Sequence, residues 1–119
     1  EPIQYALTYP KRMHLDMKHL DFKELLTLEF MPPRVDDFPA LNLAYEVGKI
    51  GGFKPAVFNA ANETAVYAFL DRKIIFSDIY KIVTAVLESM GRDDDFTLDN
   101  LLAIDQWARI KASEFINRR

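Results

Sequence analysis

The stretch AVFNAANETAVYAFL, residues 56–70, decides the fold. Advancing about 100° per residue brings Val57, Phe58, Ala61, Ala65, Ala68 and Phe69 within about 120° of one another, which is the apolar face of an α-helix. Asn59, Asn62 and Glu63 fill the adjoining sector, interleaved with Val66 and Leu70. That sector is too apolar for a plain solvent face. The helix is therefore expected to be covered on two sides, with its alanines allowing neighbours to come close. A polar group enclosed in this way needs partners, because an unmet buried donor or acceptor costs ~1–3 kcal/mol. Two readings compete. In one, the three side chains satisfy neighbouring backbone groups and fix the course of that segment. In the other, Glu63 is a metal ligand or general base and the asparagines orient a substrate. The first is preferred, since buried carboxylates also serve structural networks and one carboxylate makes a poor metal site.

The helical period extends to both sides of this stretch. Asp36 and Asp37 favour the positive end of a helix starting near Pro39. Ala40, Leu43, Ala44, Val47 and Gly48 form its stripe, and Gly51-Gly52 ends it. The helix carrying the quoted run should reach from about Pro55 to Asp71. Ser77 is expected to cap the next, whose stripe is Ile79, Ile82, Val83, Val86, Leu87 and Met90, with Gly91 as its stop. Thr97 should cap the last, which runs from Leu98 almost to the C-terminus. Four helices with short connections imply a compact four-helix bundle over 38–119. On the last helix Leu98, Leu101, Ala108, Ala112 and Ile116 form the inner stripe, with Asp105 in its middle and Arg109 at its edge. Asp105 and Arg109 stand at i and i+4, where an acid and a following arginine pair. Arg109 is further expected to reach Glu63 or an asparagine carbonyl, locking the second helix of the bundle to the fourth. Trp107 and Ile110 fall away from the stripe, as half-buried surface residues or a docking patch.

Upstream the pattern differs. Pro2 suits a first helical turn, and a short helix follows until Pro10. Residues 11–24 read as an irregular connector. LLTLEF, residues 25–30, alternates, with Leu26, Leu28 and Phe30 to one side and Thr27 and Glu29 to the other. It reads as one half-buried strand closed by Pro32-Pro33, whose ladder partner belongs to another chain or a missing domain. His14 and His19, with Asp16 between them, are connector histidines in the simpler reading and a divalent-metal site in the sharper one.

With 119 residues, half of them hydrophobic, the chain can bury one core. A net charge of −3 with scattered Lys and Arg argues against a nucleic-acid face. No apolar run reaches the length of a membrane span, and no signal peptide is visible. The absence of cysteine excludes disulfides and thiolate metal sites. EPIQYALTYPKR reads like the middle of a domain, which leads us to expect a piece of a longer protein. No phosphate-cradling glycine loop, Ser–His–Asp arrangement or dinucleotide fingerprint is present. The residues alone leave open a helical interaction module that pairs through LLTLEF, or a small metal enzyme built on Glu63, Asp105 and the histidines.

In order, PIQYALTYPKR, LDF, LTLEF, FPALNLAYEVGKIGG, AVFNAANETAVYAFL and IDQWAR resemble the C-terminal third of the 1-deoxy-D-xylulose 5-phosphate reductoisomerase family, over essentially the whole chain. The resemblance implies a mainly α piece of a larger α/β enzyme. Residues 1–37 would be the end of the catalytic domain and the linker, with the strand at 25–30, and residues 38–119 the helical bundle. It implies an oxidoreductase that uses NADPH and Mg²⁺ or Mn²⁺ to make 2-C-methyl-D-erythritol 4-phosphate in non-mevalonate isoprenoid synthesis. It also implies a homodimer, in the bacterial cytoplasm or a plastid. The partners implied are the chain's own N-terminal NADPH-binding and central catalytic domains, with neither nucleic acid nor membrane. The family's catalytic, cofactor and metal motifs all lie upstream. The resemblance therefore assigns no catalytic, NADPH or metal residue to these 119 positions and makes the chain inactive alone, with Asn59, Asn62 and Glu63 architectural.

Overall fold

The structure, a computed structural model, describes residues 2–16, 21–91 and 95–118. The described residues carry five α-helices in two compact units, Glu1–Pro32 and Pro33–Arg119.

The first unit is built around α1 (Pro2–Thr8). Proline opens it, where a missing amide proton costs nothing. The Thr8 hydroxyl lies within hydrogen-bonding distance of the carbonyls of Gln4 (3.0 Å) and Lys11 (2.8 Å), which turns the chain at the cis Tyr9-Pro10 bond. Tyr5 meets Tyr9 edge-on at 5.7 Å, and the Arg12 guanidinium lies 4.8 Å from the Tyr5 ring centre. No described residue of this unit is buried. The strand expected over 25–30 does not form. The segment has no regular secondary structure, and Leu28 and Phe30 are 77% and 89% exposed. A strand exists only against a ladder partner, and among the described residues this one has none.

The second unit comprises α2 (Ala40–Ile50), α3 (Lys54–Leu70), α4 (Phe76–Glu88) and α5 (Leu98–Asn117). The quoted run is α3, and it is the axial helix. It packs against α2, α4 and α5, and α4 also meets α5. Val57, Ala60, Ala61, Ala65 and Ala68 of α3 join Ile82, Val83 and Val86 of α4 and Ala108 and Ala112 of α5 in one core. Alanine on both α3 and α5 is what lets two helices share a core without large side chains holding them apart. Ala60, absent from the expected face, is fully buried, because α3 has neighbours on more sides than a single stripe can serve.

The helix ends follow local chemistry, with two departures from expectation. Gly51 takes φ 71° at the end of α2, and its amide donates to the Val47 carbonyl. Thr97 caps α5 as expected, accepting from the Asn100 amide at 3.2 Å. Ser77 does not cap α4. The cap position falls two residues earlier, at Ile75, and the Asp78 carboxylate reaches back to the Ile75 amide at 3.4 Å. A carboxylate in the first turn also suits the helix dipole, which a serine hydroxyl does less well. Nor does α4 extend to Gly91. It stops at Glu88, where the Ser89 hydroxyl donates to the Val86 carbonyl at 2.8 Å and competes with continuation of the helix. On α5, Leu98 is exposed and Trp107 packs against the core, so the inner stripe is rotated from the one expected toward Ile104, Trp107, Ala108 and Phe115.

Candidate functional site

Glu63 on α3 and Asp105 and Arg109 on α5 are brought together. Arg109 Nη1 lies 2.6 Å from Glu63 Oε2, Nε donates to Asp105 Oδ2 at 2.8 Å, and Nη2 donates to Asp105 Oδ1 at 3.4 Å. The guanidinium thus grips Asp105 with two nitrogens along its own helix and Glu63 with a third across to α3, using the fork that lysine lacks. The hydrogen bond to Asp105, then that to Glu63, holds the Arg109 pKa above its ordinary value, so its charge persists at any working pH. The Arg109 and Glu63 side chains are about two-fifths exposed, at 40% and 43%. Glu63 is therefore not enclosed as the sequence led us to expect. It sits at the wet margin of α3, committed to Arg109.

The two asparagines behave differently. Asn59 is exposed. Asn62 is half-buried and lines an apolar groove of about 420 Å³ together with Phe38, Pro39, Val66, Phe76, Ile79 and Tyr80. Neither side chain hydrogen-bonds among the described residues, so the expected bonds to a neighbouring backbone segment are not formed there. The groove itself left no trace in the sequence, because its walls come from residues far apart in the chain. Asp78 was also missed as a polar anchor. It is 6% exposed and paired with Lys81 Nζ at 3.4 Å, and its signal was an acid in the first turn of a helix.

Of the two histidines, His14 is exposed and His19 lies outside the described residues; Asp16 is exposed. Among the described residues no three His, Asp or Glu side chains gather as a metal site would require. The Glu63–Arg109–Asp105 triad does not fit a cation either, since an arginine occupies the space between the carboxylates. Chemically it is a clamp between two helices. No helix among the described residues is long and apolar enough to cross a membrane.

Comparison with known proteins points to one family. The family model described as the DXP reductoisomerase C-terminal domain matches residues 1–111. The 1-deoxy-D-xylulose 5-phosphate reductoisomerase of Desulfitobacterium hafniense is 47% identical over 116 residues, which is 98% of this chain and 30% of that protein. The reductoisomerase 1 of Bacillus cereus is 44% identical over 118 residues, 99% of this chain and 31% of its own. Among solved structures, the Zymomonas mobilis reductoisomerase in complex with NADPH superposes with a TM-score of 0.83 at 47% identity, covering 97% of this chain and 30% of that one. A reductoisomerase in complex with NADPH, fosmidomycin and magnesium gives 0.82 at 34% identity, covering 98% and 31%. The chain spans about 30% of the length of these relatives. Its helical architecture, the order of its motifs and the family match agree, and the chain belongs to the DXP reductoisomerase C-terminal domain family.

Proposed function

We propose that the chain is the C-terminal part of a 1-deoxy-D-xylulose 5-phosphate reductoisomerase, and that its own role is architectural. The observation that carries this reading is the family match over residues 1–111, together with relatives bearing that enzyme name. The whole protein would convert 1-deoxy-D-xylulose 5-phosphate to 2-C-methyl-D-erythritol 4-phosphate with NADPH and Mg²⁺ or Mn²⁺, as a homodimer. Two relatives bind NADPH, and one of these also binds magnesium. The reading assigns no residue of this chain to either group and routes no chemical step through it. In this reading α2 to α5 form a four-helix bundle, held rigid by the Arg109 clamp. The bundle presents Asn59 and Asn62 to the remainder of the protein, and residues 1–37 lead into it from the catalytic domain. A rigid bundle would act on catalysis indirectly, by framing a cleft.

The test is NADPH oxidation dependent on 1-deoxy-D-xylulose 5-phosphate and Mg²⁺, measured on the full-length protein containing this sequence. Activity is expected there. Calorimetric titration of the 119-residue chain with Mn²⁺ should show no stoichiometric binding. A full-length protein without the activity, or a chain that binds Mn²⁺ one to one, overturns the reading.

A further inference from the structure

We draw no further inference here: the strongest candidate, the apolar groove between α2, α3 and α4 that Asn62 lines with Val66, Phe76 and Ile79, is an unpartnered face, and nothing in the structure shows what covers it.

Discussion

Arg109 on α5 reaches Glu63 on α3 at 2.6 Å while keeping Asp105 at 2.8 Å, so one guanidinium ties a helix to itself and to its neighbour. Solvent reaches all three side chains, and each pair is worth ~0.2–1 kcal/mol rather than the value of a buried bridge. Arg109→Ala should lower stability by about 1 kcal/mol in urea unfolding. A double-mutant cycle with Glu63→Gln should return a coupling of roughly 0.5 kcal/mol. Arg109→Lys should recover only part, because a point charge cannot hold both acids. An unchanged midpoint for Arg109→Ala would show that the clamp contributes nothing.

Arg72 adopts φ 60° just past the end of α3. Its amide donates to the Phe69 carbonyl and the Lys73 amide to the Ala68 carbonyl, both at 2.9 Å, the two bonds of a Schellman turn normally built on glycine. Arg72→Gly should raise stability by about 0.5–1 kcal/mol by relieving the left-handed conformation, while Arg72→Ala retains the strain and gains nothing. Thermal unfolding of the two variants side by side checks this.

Asp78 and Ser77 make a paired test at the start of α4. Asp78 is buried and bonds the Ile75 amide, whereas Ser77 is exposed and caps nothing. Asp78→Ala should cost about 1–2 kcal/mol and Ser77→Ala less than about 0.5 kcal/mol. A reversed order would restore Ser77 as the cap.

The Thr84 hydroxyl on α4 is buried and has no hydrogen-bond partner among the described residues. Thr84→Val keeps the shape and removes the unmet group, so it should stabilise by ~1 kcal/mol. A loss of stability would mean that the hydroxyl is satisfied in solution.

What the sequence made legible was whatever a single helix determines by itself. The course of α3, the Thr97 cap and the Asp105–Arg109 spacing all follow from the residue order of one segment. The reach of Arg109 to Glu63 was legible too, because both ends lay on predicted inner margins. Properties set by neighbours were not. Ala60 is buried because α3 is surrounded, and Trp107 faces inward because α5 is rotated about its axis. The groove beside Asn62 arises only when α2, α3 and α4 meet. Residues 25–30 alternate as a strand would, yet form none, and among the described residues nothing pairs with them.

The surrounded position of α3 bears on how the protein tolerates change. Along 57–70 only Asn59, Tyr67 and Leu70 are exposed, Glu63 is partly open to water, and Val57, Ala60, Ala61, Ala65 and Ala68 are buried. A saturation scan should therefore find its strictest sites on α3 at Val57, Ala60, Ala61, Ala65 and Ala68 and its most permissive at Asn59, Tyr67 and Leu70. Replacement by larger side chains is thus expected to cost most where the alanines of α3 meet those of α5.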